Sequence, residues 1–185
     1  MRLLVGSDLH GSPESLAFLI AKARALRPDR VVLLGDLLYH GPRNPLPGGY
    51  GPQGMPDLFR ELMDEAPLTA VRGNCDAEVD LMVLPFPIYE NASISADGLD
   101  IFASHGHHIP ERPPMGAFPK GTVFLRGHTH VPRGETIDGY TFWNPGSMTL
   151  PKRGAPRSWA LIEEGVFRVF DFRGTLYLEH APGRA

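Results

Sequence analysis

Aspartate, histidine and asparagine recur in short clusters along this chain: Asp8-x-His10, Gly35-Asp36, Gly73-Asn74, His105-Gly106-His107 and Gly127-His128-Thr129-His130. Imidazole suits Mn, Fe, Ni and Zn, while carboxylate and amide oxygens suit harder ions, so a mixed Asp/His/Asn set points to catalytic divalent metals. Structural zinc of the finger type is excluded because Cys75 is the sole cysteine. Taken singly, each residue has an ordinary explanation. Asp8 can cap a helix, Asp36 can be a turn carboxylate, and Asn74 beside Gly73 can adopt left-handed backbone. A lone histidine is more often a satisfied core or surface residue than a ligand. Their shared position in the chain speaks against coincidence.

Every cluster follows an apolar run. Residues 3–7 read as a short buried strand ending at Asp8. Ser12-Pro13-Glu14 then opens a helix, with a Ser cap, Pro at the first helical position and Leu16, Leu19, Ile20 and Ala23 on one face. Residues 31–34 form a second strand ending at Gly35-Asp36, a βαβ opening that predicts a parallel pair. Nine of the fifteen residues 40–54 are Gly or Pro, which marks a shaped surface loop. A helix over 55–65 and a strand over 68–71 lead to Arg72-Gly73-Asn74-Cys75-Asp76. Strands over 88–94 and 99–104 follow, the second ending at His105, and a strand over 123–125 ends before His128. Two hairpins, 134–137 with 140–143 and 158–163 with 166–172, turn at Asp138-Gly139 and Glu164-Gly165. Beyond the carboxyl ends of strands in α/β sheets, residues distant in sequence converge, so the clusters predict one site.

At 185 residues, 42% hydrophobic and 21% charged, the chain reads as one folded domain over 1–185. A formal charge of −3, without basic–aromatic interleaving, argues against long nucleic acids as partners. No apolar run approaches the roughly 20 residues of a membrane-spanning helix. The lone thiol and the lack of a signal segment predict a reducing, cytoplasmic location.

The five clusters, in order, resemble the motifs of the calcineurin-like metallophosphoesterase superfamily. The strings Ser7-Asp8-Leu9-His10-Gly11-Ser12, His40-Gly41-Pro42-Arg43-Asn44 and Asn144-Pro145-Gly146-Ser147 extend the resemblance to its small bacterial phosphodiesterases. The resemblance implies an α/β fold, a four-layer sandwich of two packed mixed β-sheets flanked by helices. It implies two divalent metal ions, manganese foremost, with Fe, Ni, Zn or Co as alternatives. One would be held by Asp8, His10, Asp36 and His130, and the other by Asn74, His105, His128 and the same Asp36. Relatives form homo-oligomers, and one serves as a scaffold subunit.

The implied chemistry is hydrolysis of a small phosphodiester by a hydroxide bridging the metals, with Asp36, Asn74 and His105 at the reacting centre. Two ions, two carboxylates and that hydroxide leave about one net positive charge facing the phosphate. Arg43 and Asn44, on the Pro/Gly-rich loop, are expected to contact substrate, since the guanidinium fork matches phosphate. Cys75 occupies a position where many superfamily members carry a histidine that assists the departing oxygen; a thiol is a poor acid at neutral pH, which favours substrates with good leaving groups. His107, Arg72 and Asp76 are candidates for orienting the ligands. The rival readings are a non-catalytic scaffold, a phosphomonoesterase, a dinucleoside polyphosphate hydrolase and a nuclease.

Overall fold

The computed structural model describes residues 1–108 and 116–183. Its first sheet is built on the expected βαβ unit: β1 (Leu3–Gly6), α1 (Pro13–Leu26) and β2 (Arg30–Leu33), with β1 and β2 parallel and Val5 opposite Val32. Ser12 caps α1 by accepting the Ser15 amide proton, and Pro13 opens the first turn, as the sequence predicts. Helix α2 (Met55–Glu65) leads to β3 (Leu68–Ala70), parallel to β2. The antiparallel strands β9 (Ser158–Glu163), β10 (Val166–Asp171) and β11 (Leu176–His180) complete a six-stranded sheet in the order β11-β10-β9-β1-β2-β3. A second sheet, β4-β5-β6-β8-β7, comprises β4 (Asn91–Ala96), β5 (Leu99–Ser104), β6 (Val123–Arg126), β7 (Arg133–Ile137) and β8 (Tyr140–Asn144). Strands β5, β6 and β8 run parallel, so this sheet is mixed as well.

Alternation along the strands sorts side chains into layers. Leu4, Val31, Leu33 and Leu161 face the helices and meet Leu16, Leu19, Phe59 and Leu62. Their neighbours Leu3, Val5, Val32 and Ile162 face the second sheet, against Ile101, Ala103, Val123 and Trp143. The layer expected outside the second sheet contains no α-helix among the described residues. Phe124, Tyr140 and Phe142 are covered there by partly buried Phe102, Phe118 and Ile137, a ring cluster in which aromatic edges meet faces. No helix among the described residues is long and apolar enough to cross a membrane.

Two differences from the sequence reading have local causes. The strand expected over 88–94 begins at Asn91, because Tyr89 belongs to the other sheet's edge: its amide donates to the Ala70 carbonyl and its carbonyl accepts from Arg72. Apolar periodicity marks extended chain without saying which sheet receives it. Strand β11 presents only Leu178 as an apolar contact to the inter-sheet core, with Leu176 and Tyr177 exposed at the sheet edge, and so leaves little signal. Phe167 stacks on Trp143 between the sheets, ring centroids 4.9 Å apart. Phe167→Ala should cost about 3–5 kcal/mol in urea unfolding.

Candidate metal centre

The parallel pairs carry the candidate ligands to one end of the molecule. β1 and β2 deliver Asp8, His10 and Asp36 side by side, with amide protons of Asp8 and His10 donated to the carbonyls of Gly35 and Asp36. β3 delivers Asn74, β5 delivers His105, and β6 delivers His128 and His130. Five of the seven hold left-handed backbone: Asp8 (φ 55°), His10 (46°), Asp36 (54°), His128 (66°) and His130 (59°). Such geometry is costly for residues with a Cβ and concentrates at functional sites. Asn74 is not among them, so the left-handed turn its sequence context allowed is not adopted.

Two glycines are required by space. A Cβ on Gly73 would lie 2.1 Å from Asp36 Oδ1, and one on Gly127 would lie 2.1 Å from Ser7 Oγ. The Asn144–Ser147 string supplies a strap: Asn144 Nδ2 donates to the Gly127 carbonyl at 2.7 Å, and Ser147 Oγ donates to the Asp8 carbonyl at 3.0 Å.

Backbone carbonyls orient the imidazoles. Nδ1 of His10 meets the Tyr39 carbonyl at 2.9 Å, that of His105 meets the Leu34 carbonyl at 2.6 Å, and that of His130 meets the Leu150 carbonyl. Assigning the Nδ1 protons to these contacts leaves Nε2 of all three rings with lone pairs aimed inward. Nε2 of His10 and Nε2 of His130 then face each other at 3.3 Å, with Asp8 Oδ1 3.3 Å from the latter. Ligand atoms from Asp8, His10, Asp36 and His130 all lie within 4.8 Å of one another, every residue buried. Asp8 Oδ1 is buried without a hydrogen-bond partner, 3.3 Å from His130 Nε2. Converging lone pairs around an orphaned carboxylate oxygen fit a divalent cation, which satisfies all of them at once.

A second group adjoins the first. His105 Nε2 lies 3.1 Å from Asn74 Oδ1 and 3.3 Å from His128 Nδ1. Asp36 stands between the groups: Oδ2 is 3.6 Å from His10 Nε2, and Oδ1 is 3.5 Å from His105 Nε2. All seven sequence-predicted metal ligands are therefore in one place.

Charge is finely opposed here. Burial works against the charge of Asp8, but the proximity of His130 and of the other imidazoles holds its carboxyl well below the usual range. Burial lowers His10 and His128, whereas at His130 the neighbouring Asp8 outweighs burial and raises the pKa. A proton and a metal ion thus compete for His130 Nε2. Burial, reinforced by the charge of Asp36, pushes the Cys75 thiol up to about 12.

The remaining sequence candidates divide. His107 packs its ring against His105 and His128, at centroid distances of 5.4 and 6.2 Å. Asp76 accepts three backbone amide protons from the ligand-bearing loops. Arg72 turns toward Glu78 and the Asp76 carbonyl. Asn44 donates its amide to the His40 carbonyl, Arg43 is exposed without an ion pair among the described residues, and Cys75 touches the loop at Gly41. The orienting carbonyls of Tyr39, Leu34 and Leu150 escaped sequence reading, since a backbone acceptor carries no residue-type signal.

This fold and this donor set define a metallophosphoesterase. The chain matches the calcineurin-like phosphoesterase superfamily domain over residues 1–165 and belongs to that family. It is 39% identical over 174 residues, 91% of each chain, to phosphodiesterase YfcE of Escherichia coli K12. The solved structure of E. coli YfcE, described as a phosphoesterase, superposes with a TM-score of 0.92 at 35% identity, covering 99% of this chain and 100% of that one. Vps29 of Entamoeba histolytica, solved in complex with zinc, shares the fold at a TM-score of 0.63 and 21% identity, over 97% and 98% of the two chains.

A divalent cation at about 100 times its Kd should stabilise the protein by about 2.7 kcal/mol, a rise in Tm of roughly 5–10 °C at this size; Asp8→Asn should abolish most of that shift in thermal scans. Iodoacetamide should modify Cys75 of the chelated protein at pH 8 about 100-fold more slowly than a free thiol, as followed by mass spectrometry.

Proposed function

We propose that the protein is a binuclear-metal-dependent phosphodiesterase acting on small phosphodiesters. The observation that carries this reading is the division of Asp36 between two groups of inward-facing donors, one oxygen toward His10 and the other toward His105. Asp8, His10, Asp36 and His130 hold one ion; Asn74, His105, His128 and the shared Asp36 hold the other. Bound there, divalent ions act as Lewis acids and lower the pKa of a water toward neutrality. Only Asp8 and Asp36 bring negative charge to the set, so the centre stays electropositive toward a phosphate. Manganese is the first choice of ion, with Fe, Ni, Zn and Co as alternatives.

Protein groups complete the site. Asp36 is itself held by the Cys75 amide, which donates to Oδ1 at 2.8 Å. The Cys75 thiol, at about 12, is too weak an acid to protonate a departing alkoxide at neutral pH. Esters of acidic alcohols, aryl diesters above all, are accordingly the favoured substrates. Arg43 extends from the Pro/Gly-rich loop, just after the Tyr39 carbonyl that orients His10, and with Asn44, whose amide is held by the His40 carbonyl, contacts the phosphate or its ester arm. The phosphodiesterase name carried by YfcE agrees with this assignment. The same reading places a single domain over 1–185 in the cytoplasm, with homo-oligomers and no long nucleic acid partner. Against a scaffold with an eroded metal site, five donors are kept in left-handed backbone, a geometry costing on the order of 1–2 kcal/mol per residue that metal binding would offset.

With an aryl phosphodiester and Mn²⁺, Asp36→Asn should lower kcat at least roughly 100-fold, and parent-like turnover in that variant would end the proposal. Arg43→Ala should raise KM several-fold with kcat retained; an unaltered KM would remove Arg43 from the site.

A further inference from the structure

We propose that Asp76 is a positioning residue: its carboxylate sets the spacing between Asp36 and Asn74 and thereby controls capture of the second cation. This rests on the two-ion reading above. Asp76 is only 4% exposed, and its charge meets backbone amides instead of a basic side chain. Oδ2 accepts from Asp36 N at 2.9 Å and Gly73 N at 2.7 Å, and Oδ1 accepts from Leu37 N at 2.7 Å. One carboxylate therefore holds the loop after β2, which carries Asp36, to the loop after β3, which carries Asn74. The loops touch so closely there that a Cβ on Gly73 would lie 2.3 Å from Asp36 N. A return tie, Cys75 N to Asp36 Oδ1 at 2.8 Å, closes the pair.

The other ligand group has its own supports. Although Asp36 is shared, Asp8 is fixed through its carbonyl to Ser147 Oγ and His130 by Leu150, both away from the loop that Asp76 holds. Asparagine at position 76 would keep the shape but offer one acceptor oxygen and an NH₂ that donates. At least one of the three buried amides would then lose its partner, and the two loops would separate where Asn74 and Asp36 must share an ion.

The test is isothermal titration of the metal-free full chain with Mn²⁺, alongside thermal unfolding. The parent should bind two ions. Asp76→Asn should raise the weaker Kd about 10–100-fold while the tighter one moves less than about threefold, a pattern that Asn74→Ala should reproduce. Equal weakening of both sites, or a lowered Tm with both constants unchanged, would overturn the positioning role. A parent that binds fewer than two ions would instead overturn the two-ion reading. If Asp76→Asn does not fold, Asp76→Glu retains both acceptor oxygens one methylene out of place; it should show the same selective loss in milder form, and unchanged constants in that variant would refute the proposal.

Discussion

Two imidazole nitrogens bearing lone pairs sit 3.3 Å apart, beside a buried carboxylate oxygen that has no hydrogen-bond partner. Lone pairs repel unless a proton or a metal ion lies between them, so this contact marks the place where the two compete. Much of the surrounding structure keeps the contact in place. Backbone carbonyls behind His10, His105 and His130 fix which nitrogen faces inward, and the inter-sheet core below holds the strands from which the ligands project. A donor set so supported needs little rearrangement on binding, which is the advantage of orienting ligands from behind.

Using two sheets solves a geometric problem. Residues at the end of one parallel pair project over a limited area, whereas the ends of β1, β2 and β3 meet those of β5 and β6 across the interlayer core and surround a volume. Asp36 lies on the seam, with one oxygen toward His10 and one toward His105. The strap at Asn144–Ser147 crosses the same seam, bonding Gly127 on one side and Asp8 on the other. Strain in five left-handed ligand residues is tolerated because these bonds over-determine the loops.

Cys75 shows how burial changes a residue's chemistry. A free thiol near pH 8.5 would offer a partly ionised nucleophile. Half-buried beside Asp36 and packed on Gly41, it becomes a neutral spacer between the metal loop and the Pro/Gly-rich loop. The loop's polar tip, with Arg43 exposed and Asn44 tied back to His40, is thus seated on the residue that departs from the wider family pattern.

Much of this was legible in the amino-acid order. Apolar runs of strand length ending in Asp, Asn or His, a capped amphipathic helix between the first two, and glycines before Asp36, Asn74 and His128 are local signals, and local sterics and side-chain type suffice to read them. Strand β11, the transfer of Tyr89 to the opposite sheet and the aromatic cover over the outer face of the second sheet were not legible, because each depends on which distant surface a segment meets. For the site, the sequence by itself determined the donor types and their order. Only the tertiary structure decided which nitrogen of each ring faces the centre, that Asp36 divides its oxygens between two groups, and that Asp76 binds amides from two loops. The physical reason is that hydrogen bonds to backbone carbonyls and amides are made by groups every residue possesses, and where they fall is set by the packing of strands far apart in the chain.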